Sequence, residues 1–120
     1  MNPNNPVIKL CIEGTQAEFA GRPGDACKLY RQAWETSTDS YEACIAAHYV
    51  ARCQETVEEM LRWNQKALDL ANRMNDEKVR DFYPSLYLNL GYSYELLGEQ
   101  DKAKAYYELA AGLGFAHQMD

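Results

Sequence analysis

The chain has 120 residues, with 12 Lys plus Arg against 18 Asp plus Glu, a formal charge of −6 and 47% apolar residues. That length supports one domain with a real core and leaves little room for a separate catalytic unit. The acidic balance repels phosphate backbones and so argues against nucleic acid as a partner, and no uncharged apolar run of about 18 residues is present to cross a membrane.

The polar start MNPNNP has neither the basic nor the apolar region of an export leader, so a soluble, cytoplasmic protein is expected. Four cysteines, Cys11, Cys27, Cys44 and Cys53, stand in helical text with no Cys-x-x-Cys pair and no histidine at zinc-finger spacing. Reduced and mostly buried thiols are the expectation, with a disulfide framework or a metal site as the alternative.

Six helical segments follow in chain order, and no stretch carries the Val, Ile and Thr alternation that a strand needs. Asn5 is a good N-cap and Pro6 suits the first helical position, so the first segment runs from there to the breaker Gly21-Arg22-Pro23-Gly24. The second starts at Asp25 and ends near Glu35. Residues 36–40 form a polar turn, and Asp39 with Glu42 has capping-box spacing for a third segment ending near Cys53. Thr56 with Glu59 repeats that signal, after which Met60, Ala67, Leu68, Ala71 and Met74 recur at helical steps on one face. Pro84 lacks an N–H and disfavours helix at Tyr83, so the fifth segment either begins at Pro84 or begins near Asp76 and kinks; it ends at Gly98. The sixth runs from about Gln100 to Gly112, leaving residues 115–120 too short for a full helix.

These segments form three pairs that repeat one another. Ala26, Tyr30 and Ala33 stand at i, i+4 and i+7 in the second segment, Ala103, Tyr107 and Ala110 do so in the sixth, and the middle pair offers Met60, Asn64 and Ala67. Gly14 lies 12 residues before Ala26, with Leu10 one turn ahead of it; Gly91 lies 12 before Ala103, among Tyr87, Leu90 and Tyr94. The run Tyr87-x2-Leu90-Gly91-x2-Tyr94, followed by Ala103-x3-Tyr107, resembles the tetratricopeptide repeat, whose unit of about 34 residues reads W-x2-L-G-x2-Y, then A-x3-F, then P. In this register the units cover about residues 7–40, 41–83 and 84–117 of a single domain spanning 1–120, with starts at Val7, Tyr41 and Pro84 that lie 34 and then 43 residues apart. His48 replaces the consensus glycine of the second unit, and Phe115 stands where the third would have proline. The two glycines let paired helices approach closely, and Tyr30 and Tyr107 fill the space between them.

The resemblance implies an all-α solenoid of three helix pairs, six antiparallel helices in a right-handed superhelix, whose first helices line a concave face that holds another protein or a peptide segment. On that face it places Cys11, Thr15 and Glu18, then Ile45, Tyr49 and Arg52, then Leu88, Asn89, Tyr92 and Glu95. Tyr49 and Tyr92 are favoured as partner contacts, because tyrosine offers a large area and loses little rotamer entropy. Relatives that grip a C-terminal carboxylate use lysine, asparagine and arginine at positions held here by Cys11, Thr15, Ala46, Ser85 and Asn89, of which only Asn89 comes near. Arg52 either meets an acidic group on a partner or offsets the dipole of its own helix.

No enzyme is expected. There is no G-x-G-x-x-G, no G-x4-G-K-[ST] and no H-E-x-x-H, and neither His48 nor His117 has motif neighbours. His48 is expected to be packed and hydrogen-bonded at the interface between units. Glu55, Glu58, Glu59, Asp76 and Glu77 sit at helix starts, where negative charge is favourable, and form no calcium loop. No cofactor or metal is called for. A second reading is self-assembly: solenoids end in a polar capping helix, none follows the sixth segment, and Tyr106, Leu109 and Leu113 would then form a homodimer surface.

Overall fold

Asn5 caps the first helix as its spacing predicts: its Oδ1 accepts from the N–H groups of Val7 at 2.8 Å and Ile8 at 3.2 Å, and Pro6 occupies the first turn, where an N–H has no helical partner to lose. In the computed structural model, which describes residues 2–74 and 77–115, this helix, α1, spans Pro6–Phe19. Gly21 ends it with a φ of +77°, a left-handed conformation that lets the Arg22 N–H turn back to Ala17 O at 2.9 Å. Helix α2, Pro23–Thr36, starts two residues earlier than expected. Proline supplies its first turn, and Asp25 lies in that turn instead of capping it.

Helix α3, Ser40–Val50, has the expected cap, with Asp39 Oδ1 accepting the Glu42 N–H at 2.8 Å. The Glu42 carboxylate does not return to Asp39; it accepts from Thr38 N–H at 2.9 Å and from Asn5 Nδ2 at 2.8 Å, tying the starts of α1 and α3 together. The α-helix stops at Val50, and Ala51–Cys53 tighten into a 3-10 turn. Thr56 Oγ1 then accepts the Glu59 N–H at 3.2 Å ahead of α4, Val57–Met74.

Of the two expectations for the fifth segment, the helix that begins at Pro84 holds to within one residue and the kinked helix does not, but an unexpected element precedes it. A separate short helix α5, Glu77–Arg80, buries Val79 and closes in a turn, with the Phe82 N–H on Val79 O at 2.9 Å. Helix α6, Tyr83–Leu96, starts afresh with Pro84 in its first turn, so the proline kinks nothing. Gly98, at φ +80°, ends it as Gly21 ends α1. Helix α7 covers Gln100–Ala110 and passes into a π-type turn, Ala111–Phe115, where helix to Gly112 was expected. The described residues therefore hold seven α-helices, not six, and no strand. The start near Asp76, His117 and the end of the tail lie outside the described residues.

Helix α1 packs along α2, α3 along α4 and α6 along α7, while α2 leans on α3 and α4 on α6. Fully buried alanines, Ala26, Ala33, Ala67, Ala71 and Ala110, keep these helices close. The core falls into three clusters, and Trp34, partly buried, packs against all of them. Both glycine and tyrosine pairs behave as the sequence implies. A Cβ on Gly14 would run into the Tyr30 ring, and one on Gly91 would lie 2.7 Å from Tyr107 Cε1. Gly91→Ala should therefore displace Tyr107 and cost about 1–3 kcal/mol, the range for overpacking; an unchanged denaturation midpoint would remove the close approach as a reason for this glycine.

The cysteines require a correction. Cys11 and Cys44 are buried free thiols as expected, and burial pushes both up to about 12, leaving them protonated. Cys27 of α2 and Cys53 of the 3-10 turn are not reduced: they form a disulfide, with their Cα atoms 5.7 Å apart. The packing of α2 on α3 makes the pair.

Candidate functional site

The surface shared by α1, α3 and α6 carries a groove closed on one side by α4. Its centre is a cavity of about 310 Å³ lined by Glu18, Ala51, Arg52, Met60, Asn64, Asn89 and Tyr92.

One wall is an ion pair held in place from behind. Arg52 Nε and Nη2 donate to the two carboxylate oxygens of Glu18 at 3.0 and 2.6 Å, and the Tyr30 hydroxyl donates to Glu18 Oε1 at 2.5 Å. Arg52, and after it Tyr30, hold Glu18 below the usual carboxylate range, while burial and the hydrogen bond to Glu18 push the Tyr30 hydroxyl up to about 12. Arg52 lies in the last turn of its 3-10 segment, where its charge suits the helix dipole, and it is also paired within the molecule to Glu18.

The other wall is uncharged. Asn64, only 3% exposed on α4, donates through Nδ2 to Ser93 Oγ at 2.9 Å, and Ser93 Oγ donates to Asn89 O at 2.9 Å. Asn64 Oδ1 is buried with no hydrogen-bond partner, a position that leaves an acceptor's desolvation uncompensated. Beside it Asn89 Nδ2 donates to His48 Nδ1 at 3.1 Å, which puts the neutral ring's proton on Nε2. His48 sits edge-on to Phe82 and Tyr49, at 4.8 and 5.2 Å between ring centroids. Burial, with the Arg52 charge second, lowers His48 to about 4, so it is neutral near pH 7, packed and hydrogen-bonded as expected.

The structure divides the residues that the resemblance placed on one face. Arg52, Asn89 and Tyr92 line the cavity, and Tyr92 is 51% exposed. Cys11 and Ile45 are not available to a partner: α3 packs on α1 and shuts both into the core. Thr15 is half-buried, with Oγ1 donating to Cys11 O at 3.0 Å. Tyr49 stacks on Tyr30 with centroids 5.2 Å apart, so its ring serves packing. Leu88 is half-buried, and Glu95 is exposed and accepts from the Tyr107 hydroxyl at 3.1 Å. At the C-terminal end Tyr106 turns inward onto Tyr94, at 5.6 Å, whereas Leu109 and Leu113 are exposed. Ala51, Met60 and Asn64 were not anticipated as lining. The signal for Asn64 was its place in the repeat, an amide where Tyr30 and Tyr107 stand in the other pairs.

A larger cavity of about 500 Å³ lies between α2 and α4, where Arg62, Lys66 and Arg73 surround Trp34. Its cations are solvated and it contains no buried polar atom in want of a partner, so the groove is the stronger candidate. Among the described residues, no group of three or more His, Cys, Asp or Glu side chains could hold a metal ion, and no helix is long and apolar enough to cross a membrane. Set against known protein families, curated proteins and solved structures, the chain matches none.

Proposed function

We propose that the protein is a non-catalytic scaffold that binds a segment of another protein, and that its three helix pairs are tetratricopeptide-type units stacked in a right-handed solenoid with the groove on the concave side. The observation that carries this is the cavity that exposes the Tyr92 ring between the Glu18–Arg52 ion pair and the side chains of Asn64 and Asn89. An extended peptide supplies apolar surface for the ring to cover and polar groups to meet the amide and ion-pair rim around it. No cofactor is required. His48, the one histidine among the described residues, is neutral and already hydrogen-bonded to Asn89, which suits packing better than proton transfer. A cytoplasmic location would favour an open Cys27–Cys53 pair, so the scaffold with its disulfide closed belongs in a more oxidising setting.

Tyr92→Ala is the test, because Tyr92 is half-exposed, whereas Tyr49→Ala would break the stack on Tyr30. A partner captured from cell extract and then titrated with purified protein should bind Tyr92→Ala at least about tenfold more weakly, with unchanged circular dichroism. Equal affinity would remove the groove as the site. A self-assembly module is the second reading, favoured by the exposure of Leu96, Leu109 and Leu113 at 47%, 48% and 54%. Light scattering would support it with a mass near twice that of the chain.

A further inference from the structure

The first and last helix pairs are copies of one another, and among the described residues a helix covers only the first copy. Gly14, Glu18, Gly21, Ala26 and Tyr30 of α1 and α2 recur 77 residues on as Gly91, Glu95, Gly98, Ala103 and Tyr107 of α6 and α7. The geometry recurs with them. Tyr30 donates to Glu18 and Tyr107 to Glu95, at 2.5 and 3.1 Å, and the Arg22 and Glu99 N–H groups turn back to Ala17 O and Tyr94 O, each at 2.9 Å.

In the first pair, α3 and its 3-10 turn lie across this surface. Val50 packs in one cluster with Tyr30, Cys53 is bonded to Cys27, and Arg52 forks onto Glu18, leaving Tyr30 0% exposed. In the last pair no described helix takes that place. Tyr107 is only half-buried, Glu95 is exposed, and a cavity of about 410 Å³ opens among Glu95, Ala103, Lys104, Tyr107 and Ala111. Ala103 and Lys104 are the counterparts of Ala26 and Cys27, so this cavity stands where the 3-10 turn stands in the first pair.

We propose that the α6/α7 end receives a helix of another protein whose last turn carries an arginine or lysine, docked as α3 docks on α1 and α2, with the cation paired to Glu95. The first pair specifies the guest. Helix α3 presents Ile45, Ala46 and Val50 to α1 and α2, and the guest needs a similar face of small and branched apolar residues. Two residues beyond Val50 comes Arg52, which the Glu95 carboxylate, oriented by Tyr107, is placed to accept. Lys104 replaces Cys27, so an acidic residue beside the guest's cation forms a second ion pair where the first unit has a disulfide.

A second copy of this chain stacked head to tail does not meet that specification. Its α1 would take the place of α3, and the residue then standing where Arg52 stands, 34 positions earlier, is Glu18. Carboxylate would face carboxylate, which is unfavourable. This cavity and the one around Asn64 share no lining residue and adjoin only where Tyr92 stands beside Tyr107, so variants on the α4 wall separate the two.

The probe is a fluorescent, helix-stapled peptide of residues 40–53 with both cysteines changed to serine, titrated into the full chain by anisotropy. It should bind the wild type, bind Glu95→Arg about tenfold more weakly, and recover on Glu95→Arg when the peptide carries Arg52→Glu. Met60→Ala, on the α4 wall of the other cavity, should leave the peptide's affinity unchanged. Absence of binding, indifference to Glu95→Arg, or no recovery with the swapped peptide overturns the proposal. A head-to-tail oligomer of the wild-type chain in light scattering also overturns it, naming a second copy as the occupant.

Discussion

Replacing Cys27 and Cys53 together by serine should lower the free energy of unfolding by about 3 kcal/mol. The bond spans 26 residues, and a cross-link closing a loop of that size removes unfolded conformations worth about that much. Its position decides what else is lost. It fastens α2 to the turn that carries Arg52, so without it the Glu18–Arg52 fork, one wall of the groove, rests on side-chain contacts alone. Denaturant titration of the wild type with dithiothreitol should reproduce the shift, and the double variant should not respond further. Thiol titration of the denatured, unreduced chain should find two free thiols, Cys11 and Cys44. Four thiols, with a midpoint indifferent to dithiothreitol, would mean that the cysteines are reduced.

The helices other than α5 were legible because each is written with residues that do one physical job. Asn5, Asp39 and Thr56 cap, Gly21 and Gly98 terminate, and Gly14 and Gly91 make room for a ring four turns of text away. The middle of the chain was harder. Four residues, Glu77–Arg80, are too few to show a period, so α5 left no trace except the length of the second unit and the ambiguity around Pro84. His48 takes the consensus glycine's place, and a buried imidazole there can be read only once Asn89 is known to lie beside it.

The site was legible in part for a similar reason. Periodicity identifies which residues share a helical face but not how deeply a neighbouring helix covers that face, so Tyr92 is half-exposed while Cys11 and Ile45, expected on the same face, are core. Which cysteines pair is not legible in local spacing, because Cys27 and Cys53 lie 26 residues apart and meet only through the packing of α2 on the 3-10 turn after α3. The 12-residue spacing that pairs Gly14 with Ala26 also pairs Glu18 with Tyr30 and Glu95 with Tyr107, and both of these pairs are hydrogen-bonded.

Lowering the pH from about 7 to about 4 should cost about 3 kcal/mol of stability through His48 alone. Burial, and then the Arg52 charge, holds the folded-state value near 4, against 6.5 for an ordinary histidine. Between those values the unfolded chain binds a proton that the folded chain refuses. The contribution is therefore complete above pH 6.5 and is lost progressively as the pH falls to about 4. Glu18, lowered chiefly by Arg52, loses its stabilising contribution in the same direction, but within and below the ordinary carboxylate range. Urea unfolding at several pH values separates the two: His48→Gln should flatten the dependence above about pH 5 and leave the lower part in place. A variant with the wild-type slope would mean that His48 already carries its proton in the folded state. That outcome would reach the groove directly, because a protonated Nδ1 cannot accept from Asn89, and the amide that forms part of the cavity wall would have to turn away.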